Sequence, residues 1–315
     1  ETFLPVVPMF HVNAWGTPYA IPMTGTKLVM PGPALDGASL TELMNAEAVT
    51  STAGGPTVWS GLLNYWREHD TSVPTLKVTI IGGSAVPRSM VEAFDKEFDI
   101  EVRQGWGMTE MSPIGSINML KPEQCAAPDT ERYDIQVRQG RAVYGVEMKI
   151  VDAEGKTLPC DGKAFGELKV RGPWVSRAYY CEEEDEVLDS EGWFPTGDVA
   201  TIDADGYMHI TDRIKDLIKS GGEWISSIEL ENLAMSHPDV MQAAVIGIPD
   251  EKWAERPLLI VKLKAGAAPS KEDLLGFFKG KVADWSIPDD VVMVEELPIG
   301  GTGKVQKTEL RKMYA

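Results

Sequence analysis

Apolar and polar positions follow two rhythms along this chain, and the places where the rhythm changes divide it into three parts. Residues 1–30 read as short apolar stretches broken by Pro, Gly and Asn. From Ser51 to Glu110, strand-like and helix-like segments alternate. Leu76 to Ile81 is a β-branched run that predicts a strand, and Gly82, Gly83 and Ser84 predict the turn after it. Pro87 fits a first helical turn, with Met90, Val91, Phe94 and Phe98 on one apolar face. A second strand, Ile100 to Val102, leads into the segment Gln104 to Glu110. Strand, helix, strand in this order predicts a parallel sheet with ligand loops at its strand ends.

From about Gly140 to Arg213 short strands alternate with turn signals at 152–155, 161–162, 191–192 and 203–206, which predicts a small antiparallel sheet or barrel. Cys181 to Glu186 is mostly acidic and reads as a solvated loop or helix start. Beyond Asp216, Ser226 or Ser227 followed by Glu229 and Glu231 resembles a capped helix start. Strands Ala243 to Ile248 and Leu258 to Leu263 follow. Ser270 with Asp273 predicts a second cap, for a helix carrying Leu274, Leu275, Phe278 and Val282. The last hundred residues therefore read as a compact α+β domain, and no internal repeat or low-complexity tract interrupts the chain.

Composition changes this picture little. Of 315 residues, 43% are hydrophobic and 25% charged, an ordinary globular balance with room for two cores. No apolar run approaches the roughly 18 residues of a membrane span. Residue 1 is Glu and no cleavable leader follows, so the chain is expected to start partway through a longer protein. The net charge of −18 repels phosphodiester backbones, which argues against broad nucleic-acid binding while leaving nucleotide binding open. Three cysteines without metal-ligand spacing fit free thiols in a reducing, cytoplasmic setting, and four histidines make a His-rich metal site a poor expectation.

Four segments carry candidate chemistry. In Gln104 to Glu110, two glycines let the backbone approach a ligand, Thr109 offers a hydroxyl to phosphate, and Glu110 offers a hard oxygen suited to Mg²⁺. In Gly192 to Asp198 a carboxylate after a Pro-Thr-Gly turn can accept hydrogen bonds from two ribose hydroxyls. In Asp212 to Trp224, Lys215 and Lys219 flank a strand or hinge, because Gly221 and Gly222 stop any helix. In Leu297 to Lys304 a lysine on a glycine-rich tip can bridge a carboxylate and a phosphate. Each segment alone is also compatible with a mere turn or a solvated side chain.

Together, in this order and spacing, the four resemble the adenylate-forming superfamily. Pro8 to Trp15, Ile81 to Pro87, Ser220 to Ser226 and Lys252 to Pro257 are similar to its medium- and long-chain fatty acyl-CoA synthetase branch. The resemblance runs from about Pro5 to Lys307. It implies an α/β plus α+β architecture, namely the remainder of a large α/β domain (1–212, with a small β-barrel subdomain from about 140) and a mobile C-terminal domain (213–315) hinged near Lys215. It implies ATP, Mg²⁺ and CoA as reactants with a carboxylic acid, and a homodimer for the full-length protein.

By the same resemblance Gly83, Ser84 and Ala85 line the adenine pocket, with Gln104, Gly105 and Trp106 as its other wall. Thr109 binds the α-phosphate and Glu110 the Mg²⁺. Asp198 holds the ribose, helped by Arg213, and Lys304 promotes adenylation. Lys219 and Trp224 match positions near nucleotide or CoA, and His11, Trp15 and Trp59 sit at the acyl tunnel. Trp59 and Trp106 have plain core packing as a rival reading, and His11 a loop hydrogen bond. Three departures stand out. The family's phosphate loop is absent upstream of His11, so the 315-residue chain alone is expected to be inactive. Trp106 replaces a common Tyr or Phe, and Gly300 with Gly301 loosens the lysine tip. Loading of a carrier protein and a catalytically inactive nucleotide-binding module are the alternative functions.

Overall fold

A computed structural model describes residues 1–181, 187–301 and 304–315. The acidic run expected to be a loop or helix start thus lies almost wholly outside the described residues, as do two residues of the lysine tip. The chain divides into two compact units, residues 1–196 with 201–209, and residues 197–200 with 210–315.

The first unit is built on a seven-stranded sheet in the order β2-β1-β3-β4-β5-β6-β7. Its strands are β1 (Thr2–Pro5), β2 (Lys27–Leu28), β3 (Ser51–Gly54), β4 (Val78–Gly82), β5 (Glu101–Gly107), β6 (Ile114–Ile117) and β7 (Arg141–Ala142). β2, β1, β3, β4 and β5 pair in parallel, as the strand–helix–strand pattern predicts, while β6 and β7 join antiparallel. Helices α1 (Gly37–Ala46), α2 (Pro56–His69) and α3 (Arg88–Phe98) connect the parallel strands. Asp36 caps α1 by accepting the Ser39 N–H at 2.9 Å, and Pro56 opens α2 where no N–H is needed. Pro87 stands just before α3, whose Met90, Val91 and Phe94 are buried as its periodicity requires. They share one core with Trp59, Leu62 and Trp66 of α2 and Ile81 of β4. Helix α4 (Asp129–Gln136) adds Tyr133 to it.

Two expectations need correction here. β5 runs five residues past Val102, so Gln104, Gly105 and Trp106 are strand residues and not a loop. Their backbones are paired on both sides, Gly82 with Gly105 and Trp106 with Ser116. Residues 140–212 form an open sheet rather than a barrel: among the described residues its order is β11-β10-β9-β8, with no closing pair. These strands are β8 (Glu147–Val151), β9 (Phe165–Arg171), β10 (Phe194–Ile202) and β11 (Met208–Arg213).

The second unit holds a sheet of β12 (Ile218–Ser220), β13 (Glu223–Ile225), β14 (Val240–Asp250), β15 (Ala254–Leu263) and β16 (Asp290–Val294). β14 and β15 form one long antiparallel hairpin, and both of its faces are covered. Val245, Leu259 and Val261 pack with Leu230 of helix α5 (Ser227–Met235), while Ala244, Ile246 and Ile260 pack with Leu310 of helix α7 (Lys307–Tyr314). Ser226 caps α5 by accepting the Glu229 N–H at 3.1 Å. Ser270 and Asp273 form a full reciprocal box on helix α6 (Lys271–Gly276). That helix stops at Gly276, short of Phe278 and Val282, although Phe278 is still buried in the same core.

Candidate functional site

In the first unit the parallel strands β3, β4 and β5 end side by side on glycine. The register sets Gly54 beside Ile81 and Gly82 beside Gly105. A methyl built on Gly82 would come 2.8 Å from the Gly105 carbonyl oxygen and 3.0 Å from Cη2 of Trp15. Only a residue without Cβ lets the indole lie this close to the sheet. The structure therefore brings Trp15, the Gly83–Ala85 turn and Gly105 together at the carboxyl ends of parallel strands, the usual ligand position in such sheets. Gly83 has φ +87°, which favours glycine, and Ser84 beside it is exposed.

Trp15 reaches this point through a backbone feature that no residue pattern announces. Val12, Asn13, Ala14 and Trp15 have φ between +46° and +59°, one turn of left-handed helix closed by Gly16. Such a turn costs roughly 1–2 kcal/mol per L-residue and persists only where its surroundings enforce it. His11 precedes the turn and is half-buried. Trp59 is fully buried among core residues, its ring edge-on to Phe94, and it also covers Gly54, where a methyl would meet Cζ2 at 2.7 Å.

Gln104 and Trp106 share a face of β5. Gln104 is 1% exposed, and its Oε1 has no hydrogen-bond partner among the described residues. A buried acceptor without a donor costs about 1–3 kcal/mol, so this atom is suited to receive an N–H from outside the described chain. The Trp106 ring is largely buried and lies on Gly115, where a methyl would come 2.5 Å from Cζ3. At the end of β5 a methyl on Gly107 would fall 1.9 Å from the Pro113 carbonyl oxygen, so only glycine allows the reversal into β6. The short 3₁₀ turn Thr109–Met111 sits in that reversal. Glu110 is held twice: its carbonyl accepts the Ser176 N–H at 2.6 Å, and its Oε1 accepts the Tyr179 hydroxyl at 2.8 Å. Sequence reasoning missed Tyr179, whose distance along the chain gave no signal. No cluster of three or more His, Cys, Asp or Glu side chains forms a cage among the described residues. Glu110 alone suits a cation that takes its other ligands from phosphates and water, the habit of Mg²⁺.

In the second unit Asp198 lies inside β10 and is 2% exposed, and the Pro195-Thr196-Gly197 segment before it is strand rather than the expected turn. Its Oδ1 stands 2.9 Å from Nε of Arg213, at the end of β11. β10 and β11 are tied beside the pair by Ile214 N–H to the Gly197 carbonyl, 3.0 Å, and by the Thr211 hydroxyl to the Val199 carbonyl, 3.0 Å. Lys304 is at the surface. Its ammonium is pushed below the usual lysine range, first by the loss of solvent around it and then by Arg213, with Asp198 opposing. Asp198 and Arg213 are one ion pair, and both of their charges act on the Lys304 ammonium. The Lys304 backbone is fixed by Gly300 N–H to its carbonyl, 2.8 Å, and by pairing of Ile299 with Val305.

Lys215 lies in the exposed turn after β11. Lys219 and Trp224 face each other across the β12–β13 hairpin, with Nζ 6.0 Å from the ring centroid, and Trp224 is exposed. Gly221 and Gly222 make the hairpin turn with φ +60° and +90°, which bears out the strand alternative for this segment.

Two family models match the chain, "AMP-binding enzyme" over residues 1–180 and "AMP-binding enzyme C-terminal domain" over residues 229–304. The chain is 50% identical over 314 residues to a 3-methylmercaptopropionyl-CoA ligase of Ruegeria pomeroyi, which aligns with 100% of this chain and 58% of that protein. It is 50% identical to a medium-chain-fatty-acid–CoA ligase of Ectopseudomonas oleovorans, covering 100% of this chain and 57% of the relative. The chain thus spans somewhat over half the length of these relatives. Among solved structures, ATP-bound MatB from Rhodopseudomonas palustris superposes with a TM-score of 0.86 at 26% identity, over 100% of this chain and 60% of that one. An anthranilate CoA ligase in complex with anthranoyl-AMP gives 0.84 at 27% identity, over 99% and 59%.

Proposed function

This chain belongs to the AMP-binding enzyme family, and from that membership we propose that it is part of an ATP-dependent acid:CoA ligase acting on a medium- or long-chain fatty acid or a related thioether acid. The Asp198–Arg213 pair with Lys304 in electrostatic reach is the observation that carries the reading. The names of the relatives support the acid class.

In the first half-reaction an oxygen of the substrate carboxylate attacks the α-phosphorus of ATP, and the bond to pyrophosphate breaks. Two anions must meet, so positioning and charge neutralisation dominate the barrier. Asp198 accepts the ribose hydroxyls, with Arg213 holding its carboxylate in place. Lys304 offsets the charge that builds between carboxylate and α-phosphate. Gln104 and Trp106 with Gly83, Ser84 and Ala85 bind adenine and Thr109 binds the α-phosphate; Glu110 would hold a Mg²⁺ ion, which would supply charge neutralisation at the phosphates. In the second half-reaction the CoA thiolate attacks the acyl carbonyl carbon and AMP leaves. Lys219 and Trp224 present a cation and an aromatic face suited to a nucleotide. His11 and Trp15 border the acyl chain, with Trp59 packed behind. Three exposed thiols, Cys125, Cys160 and Cys181, support a cytoplasmic setting.

Incubation of the full-length protein with ATP, CoA and a panel of fatty and thioether acids tests this. CoA-dependent thioester and AMP are expected. Pyrophosphate release without CoA consumption would point to carrier-protein loading, and no release with any acid would end the ligase reading. Lys304→Ala is expected to lower acyl-adenylate formation on the order of 100-fold or more while sparing thioester formation from supplied acyl-adenylate.

A further inference from the structure

Three residues beyond Lys304, a second lysine is used quite differently. Lys307 opens helix α7, where a positive charge is disfavoured by the helix dipole. Its side chain is nevertheless turned inward, with Nζ 2.7 Å from Oε1 of Glu231 and 2.6 Å from Oγ of Ser227. The Ser227 hydroxyl passes the contact on, donating to Oδ2 of Asp212 at 2.7 Å, and the Ser227 N–H donates to the same oxygen. Asp212 is fully buried, and its Oδ1 accepts the N–H of Arg213 at 2.7 Å. Arg213 is the partner of Asp198. Glu231 also accepts the Val245 N–H at 2.8 Å, which ties the assembly to β14. One turn later on the same face of α7, Arg311 reaches Asp216 at 2.7 Å. Helix α7 thus grips the polypeptide on both sides of the turn that carries Arg213 and Lys215.

Burial pushes the Asp212 and Glu231 carboxyls up, with Lys307 opposing. Burial also works against the Lys307 ammonium, but Glu231 and Asp212 outweigh it and hold the charge in place. Buried ion pairs add little net stability over apolar packing, and what they do supply is a defined geometry. Here the geometry they define links the base of the Lys304 turn to the backbone of Arg213. Between Lys304 and Lys307 the chain has little slack, because Val305 is paired with Ile299 and the Gln306 N–H with the Pro298 carbonyl.

We propose that Lys307 is a positioning residue for the adenylation half-reaction, fixing Lys304 relative to Arg213 and Asp198 through the buried Ser227, Asp212 and Glu231 network. This rests on the reading of Lys304 as the adenylation lysine. A misplacement of about 1 Å is enough to cost on the order of 100-fold in rate.

The test uses the full-length protein and follows pyrophosphate exchange for adenylation, thioester formation from supplied acyl-adenylate, and thermal unfolding. Lys307→Met is expected to lower exchange on the order of 100-fold and to leave thioester formation within a few-fold. In a Lys304→Ala background, Lys307→Met should reduce exchange no further, because a positioning residue has nothing left to position. Equal loss in both half-reactions, full multiplication of the two losses in the double variant, or unchanged exchange in Lys307→Met would each overturn the proposal. If Lys307→Met fails to fold, Glu231→Gln with Lys307→Met removes both charges together and carries the same expectations. Unchanged exchange in Lys304→Ala is a different failure, because it would remove the functional reading itself.

Discussion

Tyr133 shows how burial and one hydrogen bond together set a residue's chemistry. Its phenol is buried beside α3 and donates to Oδ2 of Asp95, and it is pushed up to about 12, first by burial and then by that bond. The unfolded chain releases the same proton near pH 10. Between these values the native state holds a proton that the unfolded state has lost, so stability falls as pH rises. In Tyr133→Phe the unfolding midpoint should fall less steeply above about pH 10. An unchanged slope would mean that other groups govern the alkaline limit. Asp198 and Lys304 stood out in the sequence because proline and glycine precede them, although Pro195 to Asp198 lie within β10. Lys307 did not, because the burial of a charge is decided by Glu231 and Ser227, roughly eighty positions away. The one local sign was a cation at the wrong end of a helix.

The largest discrepancy at the level of elements lies in β5. Glycines at 105 and 107 read as loop residues, since glycine weakens an isolated strand. The strand survives because both of its edges are paired, and because glycine is what admits the Pro113 carbonyl beside it. Gly107→Ala should therefore destabilise the protein by about 3 kcal/mol, the upper range of overpacking costs, and should displace the turn holding Glu110. A urea midpoint equal to the parent's would show that the reversal can open without penalty. The left-handed turn at Val12–Trp15 was equally hidden, since no residue pattern announces a conformation that tertiary contacts impose. By contrast, the caps at Ser226 and Ser270 could be read directly, because the accepting side chain and the donating N–H stand within one turn.

For the whole molecule, the parallel sheet, the open antiparallel sheet and the final α+β unit follow the three parts into which changes of rhythm divide the sequence. The barrel alternative failed on closure, which depends on strands far apart in the chain. The hinge that the family resemblance implies at Lys215 leads to a last expectation. Proline at 215 would force Ile214 out of helical geometry, yet the Ile214 N–H donates to the Gly197 carbonyl and the Asp216 and Leu217 N–H groups donate to the Arg213 carbonyl. In the full-length protein, Lys215→Pro should slow thioester formation from supplied acyl-adenylate more than it slows pyrophosphate exchange. Equal slowing would assign the turn a purely architectural part. The contact between Gly82 and the Trp15 indole has its own bearing on substitution. A side chain gained at 82 would press on the Gly105 carbonyl oxygen as well as on the indole, so removal of the tryptophan alone would not make room for it. Gly82→Ala would therefore shift the edge of β5 and the indole together.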